Sequence, residues 1–106
     1  AKRYDNLLKD FVTLQKVDET VNHCYHKYVI RVENKEIRDT LKKRLNAGVH
    51  YPNPISENPM YKNLINRVDE CLNTQQVCDT ILTLPIHPYL TDEEVDKTCN
   101  IIMATV

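Results

Sequence analysis

One glycine, Gly48, one phenylalanine, Phe11, and no tryptophan occur in the 106 residues. A phosphate cradle needs several glycines where backbone meets ligand, so the P-loop and the dinucleotide-binding fingerprint are both excluded. No apolar run approaches the ~20 residues that cross a bilayer, and nothing at the start reads as a signal peptide, so no membrane is expected among the partners. A charge excess is also missing, because 14 Lys and Arg stand against 15 Asp and Glu. That balance argues against a general nucleic-acid binder, which carries a basic surface. The charges are unevenly spread, with eleven basic and seven acidic side chains in residues 1–53 and three and eight in residues 54–106. This pattern reads as two solvated faces.

What is present fits one domain with room for a single core. The four cysteines, Cys24, Cys71, Cys78 and Cys99, show no close pairing, and no Asn-x-Ser/Thr acceptor accompanies them. They read as reduced thiols of a cytoplasmic protein. Cys71, Cys78 and Cys99 fall on apolar helical stripes and are expected in the core, away from the cationic surroundings a reactive thiol needs. His23, Cys24 and His26 invite a zinc reading, but zinc takes three or four convergent ligands. In a strand their odd spacing puts His23 and His26 on opposite faces. The plainer reading is residues at a sheet edge, and no metal site is assigned.

Hydrophobic periodicity describes an α+β domain, a small sheet of short strands packed with three to four helices. Tyr4, Leu7, Leu8 and Phe11 keep helical spacing, and residues 12–14 can form a short strand. Residues 25–32, YHKYVIRV, are the clearest strand, with Tyr28, Ile30 and Val32 on one face. Asn34 can cap a helix whose stripe is Ile37, Leu41 and Leu45, and Lys42, Lys43 and Arg44 suit its last turn. Val49 to Tyr51 can start a strand. Leu64, Val68, Cys71 and Leu72 return to helical spacing, Asn73 and Thr74 read as a break, and Thr74 caps a short helix carrying Val77 and Ile81. Residues 82–88, LTLPIHP, read as a strand ended by two prolines. Thr91 and Glu94 form a capping box for a last helix that buries Val95, Cys99, Ile102 and Val106.

Three of the five prolines, Pro52, Pro54 and Pro59, lie within residues 48–61, GVHYPNPISENPMY. Proline pushes its predecessor towards an extended backbone, so Tyr51, Asn53 and Asn58 are biased away from helix. The expected result is a stiff, extended loop with His50 and Tyr51 at its entrance. A histidine can hydrogen-bond a phosphate or carboxylate, and a tyrosine ring can stack on a sugar or base. A loop histidine satisfied by backbone has the same sequence signature. His87, between Ile86 and Pro88, reads as structural. The acidic groups Asp69/Glu70 and Asp92/Glu93/Glu94 have no marked partner, and capping accounts for the second. No catalytic residue is assigned.

The order of YHKYVIRV, a helix, GVHYPNPISENPMY and ILTLPIHPYLTDEEVD resembles the C-terminal small domain of the DegT/DnrJ/StrS family. Those proteins are sugar-nucleotide aminotransferases that use pyridoxal phosphate on a fold-type I aspartate-aminotransferase scaffold. The resemblance covers essentially the whole chain. It implies that residues 1–11 are the end of an interdomain helix and residues 12–106 the α+β body. It also implies that His50, Tyr51, Asn53 and Ser56 contact a nucleotide-sugar substrate at the cleft. The implied reaction moves an amino group from glutamate to a ketosugar bound for surface polysaccharide or antibiotic building blocks. Two departures stand out: Ser56 occupies a place where the family often has histidine, and LNA before Gly48 is shorter than the usual Gly-Ile-x-Thr turn. No lysine here lies in a family motif, so no cofactor-binding residue is expected. A large domain, in cis or trans, would hold the pyridoxal phosphate, and the chain alone is expected to be inactive. The alternative is a stand-alone, non-catalytic sugar-nucleotide-binding or protein-interaction module. A domain built to pack against a larger partner is expected to expose an apolar patch when alone, with self-association, such as a homodimer, through the first helix or the loop face. A strict monomer would point to the independent module.

Overall fold

A computed structural model describes residues 1–62, 64 and 71–106. Three short strands form an antiparallel sheet in the order β1 (Thr13–Leu14), β2 (Tyr28–Arg31), β3 (Ile81–Leu84). β2 is central, pairing Leu14 with Ile30 on one side and setting Tyr28 opposite Leu84 and Ile30 opposite Leu82 on the other. Side chains alternate across a strand, so Tyr28, Ile30, Leu82 and Leu84 share one face, and all four are buried.

Helices α1 (Lys2–Leu8), α2 (Lys35–Leu45) and α5 (Asp92–Met103) close over that face. They contribute Tyr4 and Leu8, Leu41, and Val95, Cys99 and Ile102 to one continuous core. Fully burying a Leu or Ile side chain is worth about 1.5–3 kcal/mol. The sheet is too small to hold these helices by backbone pairing, so this cluster carries the fold. Polar ties fix α1 in place. Arg3 pairs with Asp92 and Asp96 of α5, Tyr4 Oη donates to the Pro85 carbonyl, and Tyr28 Oη donates to Asp5. Burial pushes the Tyr4 hydroxyl up to about 12, so it remains a donor at physiological pH.

Local signals account for the helix ends. Asn34 Oδ1 accepts from the Ile37 amide at 2.9 Å and opens α2. Asn46, at φ 48°, takes the left-handed position that closes it. Thr91 and Glu94 make both hydrogen bonds of the capping box at the start of α5.

The structure departs from the sequence expectations in several places. The strand expected from residue 25 begins at Tyr28, because Tyr25 sits at φ 47° with its amide donating to His23 Nδ1. His23, Cys24 and His26 therefore lie in the connection before β2. The strand expected at Val49–Tyr51 is reduced to one bridge, the Thr83 amide donating to the Gly48 carbonyl at 2.9 Å.

Asn73 and Thr74 do not break a helix. They lie inside α4 (Leu72–Thr80), in the first turn, where amides lack intrahelical partners and polar side chains cost little. Ile81 accordingly opens β3 and does not join that helix. Cys71 is exposed just before α4, whereas Cys78 and Cys99 are buried. Phe11 lies beyond the end of α1 and Val106 beyond the end of α5, both outside the core.

The proline stretch is extended at Pro54 and Asn58 but also contains a 3₁₀ turn, Ile55–Glu57, and the short helix α3 (Pro59–Lys62). The helical stripe expected through Val68 and the pair Asp69/Glu70 lie outside the described residues.

Candidate functional site

The second face of the sheet carries a groove. Leu82 and Leu84 of β3 point into the core, so Ile81 and Thr83 point the other way. His50 lies against that face, with Nδ1 3.0 Å from Thr83 Oγ1. Its ring occupies the space above Gly48, where an added Cβ would come within 2.7 Å of His50 Cε1. Gly48 is thus needed for close approach, since its φ is not in the left-handed region. The His50–Tyr51 peptide bond is cis. The Tyr51 ring meets His50 edge-on, with centroids 5.8 Å apart at 81°, and is 71% exposed. Pro54 is buried and anchors the loop beneath Asn53, which is exposed.

His50, Tyr51 and Asn53 form one wall of this groove, whose volume is about 450 Å³. Asn73 and Thr74 from the first turn of α4 form another, over an apolar base of Val77, Cys78 and Ile81. Ser56, in the 3₁₀ turn, does not line it. The structure therefore brings three of the four expected residues together and leaves Ser56 outside.

Asn73 and Thr74 were not visible as site residues in the sequence. Nothing in their spacing marks them, because only the return of the chain to β3 carries α4 to the loop.

α4 is held firmly for a groove wall. The buried Arg38 guanidinium donates from Nη1 to the Cys78 carbonyl at 2.9 Å, near the C-terminal end of α4 where carbonyls lack partners. Lys35 Nζ meets Asp79 at 3.1 Å, and that hydrogen bond holds the Asp79 carboxyl below its usual range. Arg31 Nε donates to Thr80 Oγ1, which joins the end of α4 to β2.

The groove presents imidazole, phenol, amide and hydroxyl groups. Among the described residues lining it there is no lysine to form a Schiff base and no arginine to pair a phosphate. This donor set does not fit pyridoxal phosphate by itself. It does suit neutral oxygen-rich groups presented beside an aromatic ring.

Elsewhere, His23 has its Nε2 3.2 Å from Gln15 and its Nδ1 on the Tyr25 amide. Among the described residues no three His, Cys, Asp or Glu side chains gather as a metal set. No described helix is long and apolar enough to cross a membrane.

A small three-stranded antiparallel sheet packed with helices, with a groove beside β3 and α4, defines a small α+β domain. The model of the DegT/DnrJ/EryC1/StrS aminotransferase family matches residues 1–103, and the chain belongs to that family. It is 33% identical over 103 residues to the erythromycin biosynthesis sensory transduction protein EryC1 of Saccharopolyspora erythraea, covering 91% of this chain and 27% of that protein. A DegT/DnrJ/EryC1/StrS aminotransferase from Brucella abortus superposes with a TM-score of 0.80 at 28% identity, covering 97% of this chain and 28% of the other. Helicobacter pylori PseC, an aminotransferase involved in the biosynthesis of pseudoaminic acid, gives 0.81 at 26% identity, covering 98% and 30%. The chain thus spans less than a third of the length of these relatives.

Proposed function

We propose that this chain is the small C-terminal part of a pyridoxal-phosphate-dependent sugar-nucleotide aminotransferase and supplies one wall of its substrate cleft. The observation that carries this reading is the family match over residues 1–103 by a chain that spans 27–30% of its relatives. The reaction is amino transfer from glutamate to a ketosugar in the cytoplasm, for polysaccharide or antibiotic building blocks. The pseudoaminic acid pathway of the Helicobacter pylori relative supports a sugar as the substrate class. Residues 1–11 act as the end of the helix joining the two domains. A large domain, in cis or trans, holds the cofactor and its lysine, and this chain does not catalyse alone. The absence of lysine and arginine among the described residues lining the groove supports that division of labour, with His50, Tyr51 and Asn53 reading the substrate while cationic and covalent chemistry comes from the other wall.

The test is an amide NMR titration of the labelled chain with a nucleoside diphosphate sugar. Shifts concentrated at residues 48–55 and 73–77 are expected, and spectra unchanged across both stretches would sink the assignment. Borohydride treatment with added pyridoxal phosphate should trap no specific lysine adduct. A stoichiometric adduct at one lysine would show that the cofactor site lies in this chain.

A further inference from the structure

We propose that Thr83 is a positioning residue for His50: its hydroxyl donates to Nδ1, holds the ring proton on Nε2, and so presents an N–H to an acceptor oxygen of the ligand. The inference rests on the groove being the substrate wall proposed above.

Three observations carry it. Thr83 projects from the groove face of β3, and its own backbone is clamped on both sides. It pairs with Val29 across the sheet, and its amide donates to the Gly48 carbonyl at 2.9 Å. The hydroxyl is therefore placed by the sheet, whereas His50 is carried by the proline loop. The 3.0 Å contact between Nδ1 and Oγ1 is next. A neutral imidazole has one donor and one acceptor nitrogen, and the bond made by one nitrogen sets the role of the other. If Nδ1 donated, the hydroxyl proton of half-buried Thr83 would find no protein acceptor among the described residues and would be left to solvent. If Nδ1 accepts, that proton is satisfied internally and the free N–H is Nε2. Finally, the ring rests over the bare Cα of Gly48, which leaves no room for a Cβ. Gly48 admits the ring and Thr83 fixes its proton.

An Nε2–H on the groove wall recognises an acceptor oxygen, which a nucleoside diphosphate sugar offers both on its phosphates and on its sugar ring. The experiment reads the ring nitrogens of His50 by long-range ¹H–¹⁵N NMR in the wild-type chain, Thr83→Val and Thr83→Ser, and measures binding of a nucleoside diphosphate sugar and of the free nucleoside diphosphate. The wild type should show a single Nε2–H tautomer, Thr83→Val a mixture, and Thr83→Ser a return to the wild-type pattern. Binding of the sugar nucleotide should weaken about fivefold in Thr83→Val and recover in Thr83→Ser. An equal loss with the free nucleoside diphosphate places the acceptor on phosphate, and a loss confined to the sugar nucleotide places it on the sugar. An Nδ1–H tautomer in the wild type, or an unchanged tautomer in Thr83→Val, overturns the proposal. If the tautomer behaves as expected but the wild type binds neither ligand, Thr83 still positions His50 and the substrate-wall reading is what fails.

Discussion

Gly48 shows how a residue can matter for what it lacks. Its backbone needs no left-handed φ, so the main chain itself accepts alanine, and the loss of unfolded-chain freedom favours Gly48→Ala by about 0.4–1 kcal/mol. The new Cβ would displace the His50 ring and cost its bond to Thr83, roughly 1 kcal/mol. The two terms nearly cancel. Gly48→Ala should melt within a few degrees of wild type while the His50 ring resonances move, and calorimetry with NMR reads both. The cysteines divide just as sharply. Cys24 and Cys71 are exposed, whereas Cys78 and Cys99 are buried, and burial pushes the Cys99 thiol up to about 11. A colorimetric thiol reagent at neutral pH should titrate two thiols quickly and the other two only on unfolding. Residue by residue, the prolines marked the loop that carries His50, Tyr51 and Asn53, and the structure gathers these three along one groove. Asn73 and Thr74 escaped notice, since their place in the groove depends on a contact made far away in the chain.

Among the elements, legibility follows the range of the signal. α2 and α5 were readable because Asn34 and Thr91 act on amides only three residues away. The start of β2 was not, because the left-handed Tyr25 depends on the imidazole of His23 folding back over it. Nor was the start of α4, where polar residues that usually interrupt helices sit in a first turn that tolerates them. The capping box makes a prediction of its own. Thr91→Ala should destabilise the fold by about 1 kcal/mol at neutral pH, measured by urea unfolding. Acid should act on the same helix end. Glu94 is held below its usual range by the Thr91 backbone and hydroxyl, and Asp96 by the Arg3 side chain. The unfolded chain therefore binds protons more readily at these sites. Their contribution is complete above the ordinary carboxylate values of 4.5 and 3.8 and fades as pH falls through the lower folded values. Urea midpoints should drop between pH 5 and pH 2, less steeply in Arg3→Ala. Parallel curves for the two proteins would contradict the pairing.

For the molecule as a whole, the order of motifs revealed the family and the α+β class, because several local patterns had to occur in one sequence. Which residues make up its exposed apolar face was not written there. Tyr51, Ile55, Met60 and Leu72 are all more than 70% exposed on the side of the proline loop and α4, an apolar surface of the kind that marks an interface. The isolated chain should self-associate with rising concentration in light scattering, and Ile55→Ser with Leu72→Ser should relieve this without lowering the melting temperature. A strict monomer at high concentration would show that the face is not adhesive. The sheet decides what form such association takes. β1 is two residues long, and beyond β3 the pairing among the described residues is a single bridge to Gly48. Among the described residues, neither margin offers the long row of unpaired amides and carbonyls on which a neighbouring chain could template a further strand. Clusters of this domain should therefore be side-chain contacts that disperse on dilution and fail to seed thioflavin-binding fibrils.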